Sequence, residues 1–295
     1  MKRVLFVINP HSGKVRNKNI EKLASEVLNP NDFTVDFVYT RFAGHALELS
    51  RVGVEKGYDI IVAVGGDGTI HEVAQSVIHS QSALAVIPMG SGNGFAHFFG
   101  IPTTIKKAMQ VIAEGKELVI DSILCNDEYF VNVAGIGFDA QVGNVYDKSC
   151  ADERGGLNYV KLVVEEYMNY PQQTGRFKIN GEEVEKQFFM VSVANSNQWG
   201  LNAKVAPEAD ITDGKFELVL LKELPVVDVL PLAIRLFSNQ FNHSRHVETY
   251  HLEEFTIENT IPRLLHLDGE PRMMTNDITF TIQPHSLKCI VPKPF

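Results

Sequence analysis

A short apolar strand that runs directly into a glycine turn is the feature that most constrains the fold of this chain. Residues 60–64 are all β-branched or otherwise apolar, and Gly-Gly-Asp-Gly-Thr follows at residues 65–69. Such a run predicts a buried strand that enters a tight turn. Apolar residues at helical spacing over residues 70–78 predict a helix next. The turn therefore presents backbone N–H groups to an anion at a helix N-terminus.

Two more loops of this kind follow apolar strands. The run 83–87 precedes Pro-Met-Gly-Ser-Gly-Asn-Gly at residues 88–94, and the run 4–8 precedes Asn-Pro-His-Ser-Gly-Lys at residues 9–14. The N-terminal loop lacks the spacing of a Walker A loop, and the second glycine loop does not fit the dinucleotide fingerprint. Because the carboxyl ends of parallel strands meet at one edge of a sheet, the three loops together predict a phosphate-binding edge.

The arrangement of elements changes near residue 121. Before it, apolar strands alternate with helical patterns, which predicts a parallel sheet with helices on both faces. These helices are predicted over residues 21–28, 46–56, 71–79 and 105–114. We therefore predict an α/β domain over residues 1–122 that binds a nucleotide.

After residue 121, short strands separated by turns predominate, and two helices are predicted over residues 158–170 and 226–237. We interpret residues 123–285 as an antiparallel β-sandwich domain. The strands are predicted over residues 129–133, 175–179, 188–194, 216–221, 251–257, 264–267, 278–282 and 287–291.

The composition excludes several classes of protein. A net charge of −9 argues against nucleic acid as a partner, and against tight electrostatic binding to anionic membranes. The three cysteines have no metal-ligand spacing, which favours a reduced compartment without a disulfide framework. Charged residues and a proline interrupt the apolar stretch 226–237, so no membrane span is predicted. We expect a cytoplasmic protein.

Taken together, the motifs resemble those of the diacylglycerol kinase catalytic-domain family, which includes soluble bacterial lipid kinases, sphingosine kinases and ceramide kinases. The similarity covers nearly the whole chain in the order of the family. The matching segments are residues 9–14, Thr40 with 44–46, 65–69, 88–93, 135–140, 206–207, 213–214 and 267–270. The resemblance implies a Rossmann-like N-terminal domain of the NAD kinase and lipid kinase type. It also implies a β-sandwich for the lipid substrate and a C-terminal segment, 286–295, that returns to the first domain.

The resemblance also assigns catalytic roles. Asp268 matches the aspartate regarded as the general base of the family, Glu270 matches its acidic neighbour near the metal, and Asp67 is expected to act through Mg²⁺. Without the resemblance, Asp268 and Gly269 are better interpreted as the turn of a hairpin between residues 264–267 and 272–274.

The resemblance also implies the remaining site residues, position by position. The residues expected to bind ATP are Asn9, Thr40, Gly65, Gly66, Asp67, Gly68, Thr69, Ile70, His71, Glu72, Gly90, Ser91 and Asn93. A structural Mg²⁺ site is implied at the carbonyls of Asp210 and Lys215 and the side chain of Asp213, for which a plain turn between strands is the alternative.

One departure from the family concerns the acceptor. Many bacterial members have an aspartate where this chain has Gly94, and the Gly-Ser-Gly-Asn form is closer to sphingosine and ceramide kinases. Asp139 aligns with the aspartate that recognises the polar head of the sphingoid substrate, although the same segment is widespread in bacterial lipid kinases.

The sequence therefore predicts an ATP- and Mg²⁺-dependent lipid kinase that acts in phospholipid biosynthesis. Its expected acceptor is a diacylglycerol-like lipid, with sphingoid bases and other lipid alcohols as alternatives. The enzyme is expected to meet this lipid by transient, peripheral contact with the membrane surface, and either a monomer or a homodimer is compatible with the sequence. Two other functions remain open: an NAD kinase, and a regulator that binds nucleotide or lipid without catalysis.

Overall fold

The computed structural model describes residues 1–13, 20–138, 140–141, 170–200, 202–258 and 261–293. Asp139, Lys14 and the helix predicted over residues 158–170, apart from its last residue, lie outside these ranges. Within them, no helix is both long and apolar enough to cross a bilayer.

Parallel strands form the N-terminal part of the larger sheet, in the order β2-β1-β3-β4. They are β1 Lys2–Ile8, β2 Phe33–Tyr39, β3 Ile60–Gly65 and β4 Ala83–Pro88. Every residue of β3 and β4 is buried, as expected where helices cover both faces of a parallel sheet. The predicted α/β architecture is confirmed.

Helices connect and follow these strands. They are α1 Ile20–Val27, α2 His45–Glu55, α3 Asp67–Val77, α4 Gly94–Phe98 and α5 Ile105–Glu114. Helix α3 begins at Asp67, four residues before the predicted start, because the backbone is extended at Gly66 and becomes helical at the next residue. The glycine turn is thus the first turn of the helix itself.

The larger sheet continues into the second half of the chain through its long strand β16. This strand pairs in parallel with β4 at Lys288 and Cys289, and antiparallel with β5 along most of its length. The strands beyond β4 are β5 Lys116–Cys125, β6 Glu128–Phe130, β8 Gln173–Ile179, β9 Glu182–Phe188, β13 Glu254–Ile257 and β16 Ile278–Val291. The predicted domain boundary at residues 122 and 123 falls inside β5 and stays a prediction.

The second sheet is antiparallel throughout, in the order β12-β11-β10-β7-β14-β15. Its strands are β7 Val133–Gly137, β10 Met190–Ala194, β11 Phe216–Leu221, β12 Val247–Leu252, β14 Arg263–Leu267 and β15 Glu270–Met274. The two sheets enclose an aromatic core in which Phe177, Phe255 and Phe280 are at most 1% exposed. The predicted β-sandwich is confirmed, and helix α6 (Val226–Phe237) has the predicted bounds.

Several predicted strands differ in detail. The strand predicted over residues 251–257 is two strands, β12 and β13, which belong to different sheets. The two strands predicted over 278–282 and 287–291 are one strand, β16, with a register shift between Gln283 and Leu287. Strand β9 was not predicted because its many glutamates weaken the apolar alternation.

A buried carboxylate holds this irregularity of β16 in place. Asp121 of β5 is fully buried, its Oδ1 accepts the N–H of His285 at 2.7 Å, and its Oδ2 accepts the N–H of Gly214 at 2.7 Å. His285 has a positive φ of 52°, which is uncommon for a residue with a side chain. Asp121 therefore joins β5, the bend of β16 and the turn before β11.

We expect Asp121→Asn to lower the free energy of unfolding by about 1–3 kcal/mol, because an amide supplies one acceptor atom in place of two. Urea denaturation measures the change, with Asp127→Asn, a substitution of an exposed aspartate, as the matched control. Equal stability of the two variants would contradict this role for Asp121.

Candidate active site

The two glycine loops contact each other at the carboxyl ends of β3 and β4. The Cβ of any side chain at Gly90 would lie 2.8 Å from the Cα of Gly66, which is closer than real contacts allow. Glycine at residue 90 is thus required for the close approach of the two loops. The three loops predicted to share one edge of the sheet do so, since β1 lies beside β3 and β3 beside β4.

Asp67 joins the first glycine loop to the second. Its Oδ2 accepts the N–H of Asn93 at 2.7 Å and its Oδ1 accepts the N–H of Gly94 at 2.9 Å. Burial raises the pKa of Asp67 to about 6. The hydrogen bond from Asn93 lowers this pKa, and the nearby carboxyl group of Asp268 raises it further. The carboxylates of Asp67 and Asp268 are therefore close enough to interact.

Asn93 shapes the second glycine loop. Its Oδ1 accepts the N–H of Gly90 at 2.9 Å, and its Nδ2 donates to the carbonyl of Gly90 at 2.7 Å. Ser91 is exposed at the tip of the loop, where its hydroxyl can reach a ligand. Asn93 supports the loop from inside, while Ser91 faces outward.

Glu72 organises a third segment of the edge. Its two carboxylate oxygens accept the N–H groups of Gly44 and Ala46 at 2.8 and 2.9 Å, at the N-terminus of α2. The neighbouring Thr40 is held by its own N–H, which donates to the carbonyl of Ile8 at 2.8 Å. Glu72 thus fixes the loop after β2 beside the glycine turn.

A cavity of about 420 Å³ lies between these segments. Its lining residues are Asn9, His11, Ser12, Thr40, Arg41, Phe42, Ala43, Ala46, Gly66, Gly68, Thr69, Glu72 and Glu270. Of the residues predicted to bind ATP, Asn9, Thr40, Gly66, Gly68, Thr69 and Glu72 line the cavity. Gly65, Ile70 and His71 are instead buried behind it.

Sequence reasoning did not identify Arg41 and Phe42 at this cavity. Both follow Thr40 in the loop after β2, and Phe42 is 58% exposed and stacks on His45 with 4.6 Å between the ring centroids. The other loops were predicted because ligands bind at the carboxyl ends of parallel strands. The same rule applies to the loop after β2 and could have identified both residues.

Asp268 lies in the β14–β15 turn, so the hairpin interpretation of this segment is also correct. Its φ is 52°, and the carboxylate is turned inward. Oδ1 accepts the N–H of Asn132 at 2.8 Å, and Oδ2 accepts the N–H of Val131 at 3.1 Å. His71 Nδ1 lies 3.0 Å from the same Oδ2. These bonds fix the position of a carboxylate that is only 8% exposed.

His71 lies between two carboxylates. Its Nδ1 faces Asp268 and its Nε2 lies 2.9 Å from Glu128 Oε1. Burial lowers the pKa of His71, but the hydrogen bonds to Asp268 and Glu128 outweigh burial and raise it to about 9. His71 is therefore a buried imidazolium at neutral pH, with both ring nitrogens acting as donors.

Arg272 completes this network. It donates from Nε to Glu128 Oε2 at 2.9 Å and from an Nη to Oε1 at 2.6 Å. Burial raises the pKa of Glu128, but the bonds from His71 and Arg272 outweigh burial and lower it to about 2. The network therefore alternates acidic and basic side chains, in the order Asp268, His71, Glu128 and Arg272.

Glu270 lies over the N-terminus of α3. The Cβ of any side chain at Gly68 would overlap Glu270 Oε1, so glycine at this position makes room for the carboxylate. Asp67, Asp268 and Glu270, the three residues predicted to be catalytic, thus converge on the first turn of α3. Oxygen ligands of this kind fit Mg²⁺.

Gly94, where the resemblance implies an aspartate, is in a crowded position. A Cβ there would lie 2.5 Å from the carbonyl oxygen of Trp199 and 2.6 Å from Nδ2 of Asn132. An acidic side chain therefore does not fit at residue 94 without movement of the 195–200 loop. The negative charge at this end of the loop comes instead from Asp67.

The turn predicted to hold a structural Mg²⁺ is exposed. Asp213 Oδ1 accepts the N–H of Lys215 at 2.9 Å, and Asp210 Oδ1 accepts from both the N–H and the hydroxyl of Thr212. A carboxylate and two carbonyls form an all-oxygen set that fits Mg²⁺. Occupancy of this turn by a metal stays a prediction.

Comparison with known proteins places this geometry in a family. The family model described as "Diacylglycerol kinase catalytic domain" matches residues 3–125, and "YegS C-terminal NAD kinase beta sandwich-like domain" matches residues 132–291. A "Probable lipid kinase YegS-like" of Chromohalobacter salexigens is 30% identical over 77% of this chain and 75% of its own length. The "Diacylglycerol kinase" of Bacillus subtilis is 26% identical over 92% of this chain and 90% of its own length.

The fold agrees with a solved structure as well. The crystal structure of a diacylglycerol kinase from Bacillus anthracis superimposes with a TM-score of 0.74 at 17% identity, covering 99% of this chain and 97% of that one. Both family models, in the order found here, account for the glycine loops and for the sandwich that carries Asp268. The chain therefore belongs to the diacylglycerol kinase catalytic-domain family of lipid kinases.

Proposed function

We propose that this chain transfers the γ-phosphate of ATP to the hydroxyl group of a lipid. The observation that carries the proposal is the carboxylate of Asp268, which is fixed by two backbone N–H groups and by His71 close to the glycine turn of α3. Phosphoryl transfer requires a positioned phosphate, neutralised charge and an acceptor hydroxyl held in line. The residues at this edge of the sheet can supply each of these.

The nucleotide is best accommodated by the cavity between the N-terminal loop, the loop after β2 and the glycine turn of α3. The N-terminus of α3 offers backbone N–H groups and the positive end of a helix dipole to the phosphates. Arg41 lies beside the same cavity and adds a positive charge. Asp67 and Glu270 would hold Mg²⁺, which neutralises negative charge on the phosphate oxygens when it is bound.

Asp268 is the proposed general base. The acceptor hydroxyl oxygen forms a bond to the γ-phosphorus, the bond to the β–γ bridging oxygen breaks, and ADP leaves. The hydroxyl proton passes to a carboxylate oxygen of Asp268 late in the transfer and then to solvent. Asn132 and Val131 keep the carboxylate oriented while this occurs.

His71 is a positioning residue in this scheme. It contacts Asp268 rather than the substrates, and it is too buried to reach the cavity. Its Nδ1 lies 3.0 Å from Asp268 Oδ2, so it gives the buried carboxylate of Asp268 a side-chain partner and helps to fix its orientation.

Contact with the membrane is the second part of the proposal. Helix α6 exposes Val227, Leu230, Ile234 and Phe237 by 79, 70, 61 and 53%. Their spacing places them along one stripe of the helix. Because a diacylglycerol-like acceptor lies in a bilayer, we infer that this stripe rests in the interface of the membrane that holds the acceptor.

The reaction is tested with labelled γ-phosphate and Mg-ATP in mixed micelles. The acceptors are diacylglycerol, monoacylglycerol, phosphatidylglycerol, sphingosine, ceramide and a polyprenol, with NAD as a soluble control. A labelled lipid supports the proposal and identifies its acceptor class. Label in NADP alone would favour an NAD kinase, and ATP binding without any product would favour the regulator.

Asp268→Asn is expected to lower kcat by about 10²-fold or more, because it removes the proton acceptor. The Kd for ATP should stay within about threefold of wild type, because Asp268 is not a cavity-lining residue. Steady-state kinetics and calorimetric titration measure the two quantities. Near-normal turnover would exclude Asp268 as the base, and Asp127→Asn is the control.

The charge of His71 makes stability depend on pH. Its folded-state pKa of about 9 exceeds the ordinary value of 6.5, so its contribution is complete below pH 6.5 and is lost as the pH rises through 9. Wild type should lose on the order of 1–3 kcal/mol of unfolding free energy over this range, and His71→Gln should lack this loss. Urea denaturation at both ends of the range measures it.

The control for this measurement is His243→Gln, which replaces an exposed histidine and should keep the wild-type pH dependence. If His71→Gln and His243→Gln gave the same slope of stability against pH, His71 would not be the titrating group.

The α6 stripe is tested by Leu230→Glu together with Ile234→Glu. Activity on lipid in vesicles should fall about tenfold or more, because charge replaces apolar area in the interface. Activity on a water-soluble short-chain acceptor should be unchanged. The control is Val52→Glu on helix α2, where the native valine is 45% exposed. Equal losses on both acceptors would count against membrane contact through α6.

A further inference from the structure

A cluster of two carboxylates and an imidazole lies outside the proposed active site. Glu217 on β11 and His251 on β12 are paired across the second sheet, and Glu208 reaches them from the loop that precedes β11. One ligand atom from each side chain lies within 4.8 Å of the other two. The mechanism proposed above uses none of these residues.

Glu217 is the unusual member of this cluster. The residue is 2% exposed, and neither of its carboxylate oxygens has a hydrogen-bond partner in the described part of the chain. His251 Nε2 lies 3.9 Å from Glu217 Oε1, which is within ion-pair distance. Buried carboxylates are normally paired, hydrogen-bonded or bound to a metal.

We propose that Glu208, Glu217 and His251 bind a divalent transition-metal ion of the Zn²⁺ type. One imidazole and two carboxylates are typical ligands of Zn²⁺, with a water molecule in the fourth position. The two negative charges of the carboxylates match the charge of the ion, and the metal supplies the partner that Glu217 otherwise lacks.

The three ligand atoms need to move only slightly closer together to bind one ion. Metal–ligand bonds of 2.0–2.2 Å in a tetrahedral site place neighbouring ligand atoms about 3.4 Å apart. The Glu217–His251 separation of 3.9 Å is already close to this value. Glu208 and His251 are exposed, so both side chains can move inward, and the ion can enter from solvent.

Asn242 orients the side chain of Glu208. Asn242 Nδ2 donates to Glu208 Oε1 at 2.9 Å, which leaves the other carboxylate oxygen of Glu208 available to the ion. Residues that orient a ligand in this way raise metal affinity.

This site is chemically distinct from the predicted magnesium turn. The turn at Asp210, Asp213 and Lys215 offers only oxygen ligands, which suit Mg²⁺, whereas His251 contributes a nitrogen ligand. The two sites should therefore be separable by metal, with Mg²⁺ a poor competitor at the cluster.

A bound ion would join three segments of the second domain. It would link β11 and β12 to the loop after residue 202, in which Ala206 donates its N–H to the carbonyl of Asn197. Asn197 belongs to the 195–200 loop, which packs against the second glycine loop at Gly92 and Gly94. The ion would thus stabilise the support of the glycine loop.

The test is Zn²⁺ binding to the purified full chain, measured by calorimetry in excess Mg²⁺. We expect the wild-type chain to bind one equivalent of Zn²⁺. The affinity for Zn²⁺ should be at least about tenfold lower in Glu217→Gln, Glu208→Gln and His251→Asn. The matched controls Glu253→Gln and His285→Asn replace an exposed glutamate and an exposed histidine outside the cluster. Both should bind as wild type does.

Absence of stoichiometric binding, full displacement by Mg²⁺ or unchanged affinity in the three cluster variants would each overturn the proposal. Glu208→Gln keeps the test informative if Glu217→Gln fails to fold, because Glu208 lies in an exposed position. Bound Zn²⁺ should also raise the Tm of wild type but not of the cluster variants. No readout uses kinase activity, so the result is independent of the proposed function.

Discussion

The buried ion pair of His71 and Asp268 is the interaction on which the architecture of the site depends. His71 comes from the helix that follows the glycine turn, and Asp268 comes from a hairpin of the second sheet. Loss of either residue would leave the other with one buried partner fewer, which is destabilising. The pair therefore links the packing of α3 against the second sheet to the position of the Asp268 carboxylate.

The sequence predicts the N-terminal architecture well because it is encoded locally. Short apolar runs rich in β-branched residues and followed by glycines, such as β3 and β4, predict buried strands, and the glycines mark the edge where ligands bind. The contact of His71 with Asp268 joins residues 197 positions apart, and no local pattern encodes such a pair. For the same reason β5 was not predicted as a strand: its burial depends on β16, which comes much later in the chain.

Gly94 shows how a missing side chain can be interpreted in two ways. From the sequence, the resemblance implies an acid at this position, so Gly94 bears on the predicted choice of acceptor. In the structure, Gly94 is in close contact with the backbone of Trp199, and its N–H donates to Asp67. The absence of a side chain at residue 94 thus allows the 195–200 loop to pack directly against the second glycine loop.

The parallel pairing of β16 with β4 has a consequence for synthesis of the chain. When β4 leaves the ribosome, its outer edge has no partner, because Lys288 and Cys289 have not yet been made. Until β16 is made, the N-terminal half of the chain exposes the unpaired edge of an apolar strand. Such an edge is prone to pair with strands of other chains. The larger sheet can therefore be completed only after the last strand of the chain has been made.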